Sequence, residues 1–150
     1  MPPLAFKEIP YGELNPRQQE AYNFQKLAAV LADFGLITIP LNNDWNGADF
    51  IAQMHDGTTF VKVQLKSRLT FDQKYRGKQL YVCFRDGVGE HSVWYMYDHD
   101  ELLEKVSKVR NITDTKTWEL DKPYHFPSLS APLRELLEPY RIPSTAGKRQ

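Results

Sequence analysis

One short segment constrains this chain more than any other. Residues 48–54 alternate between apolar and other side chains, residues 59–66 do the same, and Asp56-Gly57 lies between them. An Asp-Gly pair flanked by alternating runs predicts a β-hairpin with a two-residue type I′ loop. With that loop, His55 faces Thr58, and pairing runs outward to place Asp49 opposite Gln64. Side chains of a strand alternate between faces. Phe50, Ala52, Met54, Val61, Val63 and Leu65 therefore form one wholly apolar face, predicted to be core. Asp49, Gln64 and Lys66 share the other face, which the hydrophobic pattern leaves unclaimed.

An acid, a carboxamide and a lysine in one place suit metal-assisted cleavage of a phosphodiester. A hard cation such as magnesium takes oxygen ligands and keeps several waters beside one or two carboxylates. Asp49 offers a carboxylate and Gln64 a neutral carbonyl oxygen. The cation polarises a phosphoryl oxygen and acidifies a bound water, and Lys66 is placed to orient the nucleophile or to stabilise charge on the phosphate. A surface hairpin with polar residues outside is the plainer alternative.

Residues 16–34 read as one amphipathic helix. Asn15 is the expected N-cap, Pro16 takes the first helical position, Gln18 completes a capping box, and Gly35 supplies the stop. The apolar stripe is Phe24, Leu27, Ala28, Leu31 and Phe34, and its backward projection lands on Glu20. A carboxylate on that stripe either reaches water at the helix N-terminus, helped by the helix dipole, or faces a cleft or a cation, since burial without a partner is costly.

A helix bearing Glu20, a strand, Gly47-Ala48-Asp49, a hairpin and then Gln64-Leu65-Lys66 resembles the PD-(D/E)XK nuclease superfamily, the fold of type II restriction enzymes, Holliday-junction resolvases and some homing endonucleases. Asp49 matches the first acid of its motif, Lys66 the lysine, and Glu20 the additional acid that many members carry on their first helix. Gln64 stands where the pattern has an acid, as in the Q-x-K variant of certain intron-encoded homing endonucleases. The resemblance covers roughly residues 12–107. It implies an α/β fold, a restriction-endonuclease-like α-β-β-β-α-β core with a mixed central sheet flanked by helices. It also implies an endonuclease of homing or restriction type that uses Mg²⁺, or Mn²⁺ in its place, on double-stranded DNA. Asp49, Gln64 and Glu20 would hold the metal, and Lys66 completes the catalytic set. Because one active centre cuts one strand, the resemblance further implies a homo-oligomer. A Holliday-junction resolvase, a nucleic-acid-binding module that lost catalysis with the acid at position 64, and a protein-interaction domain are the alternatives.

Further along, residues 79–84 and 93–97 read as strands. A second helix begins near residue 100, capped by Asp98 or Asp100. Residues 117–120 suit a short strand or an anchored loop, and Ser130 caps a last helix over 131–140 with Leu133, Leu136 and Leu137 on its buried side. Trp94 and Tyr95 are expected in the core, with the 94–97 segment and the last helix as candidate oligomer surfaces. Residues 1–11 are expected to form a weakly ordered arm, and the tail from residue 143 to be mobile.

At 150 residues, with 41% hydrophobic and 25% charged side chains, the chain is expected to form one domain over 1–150 with a C-terminal extension from about residue 108. It contains no apolar run of membrane-spanning length and opens without a secretory pattern, so an intracellular, membrane-free setting is expected. The single cysteine, Cys83, reads as a core residue, and neither a metal-spaced histidine pair nor a glycine-rich phosphate loop for an organic cofactor is present. His55 and His99 are expected at the surface, and Asp44 in a loop with Asn42, Asn43 and Asn46. Net charge is zero, but residues 62–78 hold six cations against the single acid Asp72. Distribution outweighs net charge in binding a phosphate backbone. Lys62, Arg68, Lys74, Arg76 and Lys78, beside Lys66, are therefore the expected DNA contacts, with Tyr75 available to stack on a base.

Overall fold

A computed structural model describes residues 1–87 and 89–145, with the backbone alone at positions 44, 45 and 90; the tail expected to be mobile lies, from residue 146 on, outside the described residues. Residues 1–10 are exposed and form no regular element, and a 3₁₀ turn follows at Tyr11–Glu13. Helix α1 spans Pro16–Ala32. Its capping box forms as read: the Asn15 side chain accepts the Gln18 N–H at 2.9 Å, and the Gln18 side chain accepts the Asn15 N–H at 2.9 Å. Regular helix stops two residues before the expected end because the last turn tightens. Asp33 donates to Val30 and Phe34 to Leu31. Gly35, at φ +77, then closes the helix with its N–H on Ala32, while Leu36 bonds back to Leu31, a Schellman motif.

Five strands follow, β1 (Ile37–Trp45), β2 (Ala48–Gln53), β3 (Phe60–Lys66), β5 (Leu80–Asp86) and β6 (Val93–Asp98), with the two-residue β4 (Thr70–Phe71) between β3 and β5. They form a mixed sheet in the order β1-β2-β3-β5-β6, in which only β3 and β5 run parallel. The chain is thus mixed α/β, a five-stranded sheet flanked by helices. The connection between the parallel strands, residues 67–79, carries β4 and a 3₁₀ turn at Gln73–Tyr75. The expected core order α-β-β-β-α-β would put a helix before its last strand. Instead helix α2 (His99–Ser107), capped by Asp98, follows β6. The one-turn α3 (Lys116–Glu119) occupies the segment read as strand or loop, and β7 (Tyr124–His125) pairs with β4, which is why that connection stays extended. Helix α4 (Ala131–Leu137), capped by Ser130, completes the fold.

The hairpin register is the one read from the sequence. Phe50 pairs with Val63, Ile51 with Lys62, Ala52 with Val61 and Gln53 with Phe60, and the same offset sets Asp49 against Gln64. The turn differs. Asp56 has no left-handed φ, so a type I′ loop does not form. Met54 bonds to Thr59 through its N–H, and the loop is 55–58 with Gly57 at φ +73. One extra residue on each side leaves the pairing unchanged. The Asp56 carboxylate stabilises this wider loop by accepting the Thr58 and Thr59 N–H groups and the Thr59 hydroxyl, which holds its pKa down at about 2. The type I′ geometry sits instead at Asn46-Gly47, with φ of 53 and 83, joining β1 to β2. Asn42, Asn43 and Asp44 therefore belong to strand β1, not to a loop. β1 is an edge strand whose register shifts between Pro40 and Trp45.

Apolar cores lie on both faces. On one, Leu27 and Leu31 of α1 pack on Phe50, Ala52, Val63, Cys83 and Trp94; burial pushes the Cys83 thiol pKa far up, as befits a core cysteine. Met54, expected in this core, is exposed beside the turn. On the other face, α2 and α4 cover Val82, Phe84, Tyr95 and Tyr97 together with Leu69 and Phe71. Trp94, Tyr95 and Tyr97 are buried, which removes them as an oligomer surface. His99, expected at the surface, is fully buried. Its Nε2 accepts the Asp72 N–H at 3.0 Å, and its Nδ1 donates to Asp100 at 2.9 Å. Residue 99 opens α2 directly behind the cap, and its ring turns inward to satisfy an amide 27 residues away. No helix among the described residues is long and apolar enough to cross a membrane.

Candidate active-site cleft

The site lies where β2 begins and β3 ends. The tight turn at Asn46-Gly47 delivers Asp49 as the second residue of β2. Gly47 cannot be replaced without strain: its φ is +83, and a Cβ there would come 3.0 Å from the Tyr75 ring. The ladder with β2 ends at Phe50–Val63, and the Asp49 carboxylate takes the next available donor, the Leu65 N–H, at 2.8 Å. That bond anchors the acid to β3.

Gln64 and Lys66, both half-buried on β3, line a cleft of about 330 Å³ with Glu20, Asn23 and Gln19 of α1, Tyr11, Leu65 and Ser67. Three of the four predicted site residues thus share one wall. Asp49 is not part of that wall but is bonded to Leu65, which is. Glu20 is exposed, so its carboxylate reaches water, the first of the two readings of its position, at the rim of this cleft. Among the described residues, neither its carboxylate nor the Gln64 carboxamide has a hydrogen-bond partner. The Lys66 ammonium rests over the Tyr75 ring, 5.8 Å from its centre, a cation–π contact that limits its swing.

The donor set fits a hard cation in kind. It comprises two carboxylates and one carboxamide oxygen, with the last of these and Glu20 unengaged by protein. Among the described residues no group of three or more His, Cys, Asp or Glu side chains could hold a metal ion.

The expected DNA contacts lie elsewhere. A small apolar cluster of Ala48, Tyr75 and Leu80 places Tyr75 beneath the Lys66 ammonium, and of the 62–78 cations only Lys66 reaches the cleft. Lys62 donates to the Lys78 carbonyl, Lys74 approaches the Asp72 carboxylate at 3.9 Å, and Arg76 acts on Asp100. Burial, with Arg68 and Lys66 nearby, holds the His125 imidazole below its ordinary pKa. Tyr75 is buried and cannot stack on a base; its ring packs edge-on to His99 at 5.6 Å between centres.

Tyr11, Asn23 and Ser67 are cleft residues that the sequence pattern does not single out. Asn23 donates to the Tyr11 hydroxyl at 2.9 Å, which closes the 3₁₀ turn over α1. The one signal available was the spacing of Asn23 three residues beyond Glu20 on the same helical face. No family model, curated protein or solved structure matches this chain.

Proposed function

We propose that the chain is a magnesium-dependent endonuclease hydrolysing phosphodiester bonds of double-stranded DNA, on a restriction-endonuclease-like core and of homing or restriction type. The observation that carries this reading is the shared wall: Glu20, Gln64 and Lys66 line one cleft, and Asp49 is bonded to the residue between the last two. Asp49, Glu20 and the Gln64 carbonyl oxygen are the groups that would hold Mg²⁺, with Mn²⁺ able to replace it. When bound, the ion supplies charge at a phosphoryl oxygen and a more acidic water.

The protein's own part follows from placement. The Leu65 amide fixes Asp49, so the acid does not have to be ordered at the moment of reaction. The Lys66 ammonium, steadied by Tyr75, faces the negative charge that grows on the phosphate as water oxygen joins phosphorus and the sugar oxygen leaves. Glu20, which lines the same cleft, is the acid that takes the proton from that water. Cutting both strands requires a second active centre, so the working form is a homo-oligomer.

Supercoiled-plasmid nicking with Mg²⁺ tests the reading: the wild type nicks, while Asp49→Ala and Lys66→Ala do not. The presence of only two carboxylates among the proposed ligands favours one second reading, a DNA-binding module without catalysis. Wild-type protein that binds duplex but never nicks it would select that reading.

A further inference from the structure

We propose a second phosphate-binding subsite, formed by Lys26, Arg85 and Arg141, that grips the DNA backbone beyond the cleaved bond. The cleft continues along α1. A cavity of about 250 Å³ shares Tyr11, Asn23, Leu65, Lys66 and Ser67 with it and reaches Arg85 and Trp94. A third, of about 520 Å³, shares Arg85 and Trp94 with the second and is lined by Lys26, Arg141 and Asp33. The three make one trough between α1 and the ends of β3, β5 and β6.

The far end of that trough is built for an anion. Three cations face one acid, and Asp33 already accepts the Thr145 hydroxyl at 2.9 Å. Among the described residues, none of the three cations is ion-paired. Arg85 lies across the β5–β6 ladder from Trp94, its guanidinium 5.4 Å from that ring. One of its NH₂ groups donates to the Gly89 carbonyl at 3.3 Å, and its Nε is buried with no partner. A guanidinium stays charged at any accessible pH, and Arg85 lines both the second and the third cavity, so its charge is available to an incoming phosphate. Arg141 is positioned by backbone: Tyr95 bridges to it, and Ile142 donates to the Trp94 carbonyl at 2.8 Å.

The spacing suits one nucleic-acid strand. Lys26 lies six residues past Glu20, roughly 9 Å of helix rise. A strand of B-DNA advances about 3.4 Å per nucleotide, which places the subsite roughly two to three nucleotides from the proposed cut. The identity of the anion as DNA rests on the nuclease reading; the cationic cavity does not.

The test is anisotropy of a labelled duplex titrated with full-length protein in Ca²⁺ at several salt concentrations, beside plasmid nicking in Mg²⁺. Lys26→Ala/Arg141→Ala, two exposed positions, is compared with wild type and with Lys108→Ala as an off-trough control. Expected are at least about tenfold weaker binding and a salt slope shallower by about one per lost phosphate contact, with the control unchanged. Equal affinity and slope in the double variant and the wild type would overturn the subsite while leaving nicking intact. A wild type that binds but never nicks, with the double variant weakened as expected, keeps the subsite and removes the cleavage reading. A wild type that binds no duplex removes both.

Discussion

The carboxylate of Asp49 is tied to β3 by the Leu65 amide, 2.8 Å away, so this acid has a structural bond as well as a proposed chemical one. The two separate by substitution. Asp49→Asn keeps an oxygen for the Leu65 N–H and should melt within about 0.5 kcal/mol of wild type, yet lose at least about a hundredfold in Mg²⁺-dependent nicking. Asp49→Ala should lose the same activity and about 1 kcal/mol of stability as well. Equal melting of the two variants would detach the acid from the amide.

Gln64→Glu adds a carboxylate to the cleft. The midpoint of the magnesium titration should move to lower concentration, or the preference between Mg²⁺ and Mn²⁺ should change, because a third acid strengthens a hard-cation site. A superimposable titration would remove residue 64 from the ligand set.

Lys66→Met retains most of the length and the contact with the Tyr75 ring but not the charge. Nicking should fall by about 10² to 10³, with duplex binding in Ca²⁺ weakened only a few-fold. A loss confined to binding would make Lys66 a backbone contact instead of a catalytic residue.

His99 makes stability pH-dependent. Burial lowers its pKa below the ordinary 6.5, against the opposing pull of Asp100, Asp72 and Asp98, and its Nε2 is occupied in accepting the Asp72 N–H. The folded protein thus binds a proton less readily than the unfolded chain. Stability is complete above about 6.5, falls as pH drops below that value, and levels off below the folded pKa. Urea unfolding between pH 7.5 and 5 should show a slope of up to about 1.4 kcal/mol per pH unit from this group, reduced in His99→Gln, where His125, also held below its ordinary pKa, remains. A flat wild-type profile over this range would contradict the neutral ring.

Gly47→Ala forces a Cβ into a left-handed turn and against the Tyr75 ring. A loss of about 1–3 kcal/mol is expected, read as a melting temperature lower by several degrees, together with reduced nicking because the turn delivers Asp49.

Local features were legible in the sequence, and partners distant along the chain were not. Asn15, Gln18 and Gly35 announce the limits of α1 because capping involves residues three or four apart. The alternation on either side of residues 56 and 57 carries the Asp49–Gln64 register because a loop widened evenly preserves it. The turn type escaped, since three hydrogen bonds to the Asp56 side chain outweigh the Asp-Gly preference. The burial of His99 depends on an amide at residue 72. The extended form of residues 67–79 depends on strand pairing with residues 124–125. The cations of the trough come from positions 26, 85 and 141, and no window along the chain brings them together; the contiguous basic stretch at 62–78 was the louder signal, yet it lies mostly on the other side of the sheet.

Strand β1 ends the sheet with Ile37 and Ile39 exposed, the composition of a surface that recruits further strands. Pro40 has no N–H to offer a neighbour, and the shift in pairing that follows it bends the strand away from a straight template. Replacing Pro40 with valine would return a backbone donor to the strand beside those isoleucines and make this border a better template for edge-to-edge association.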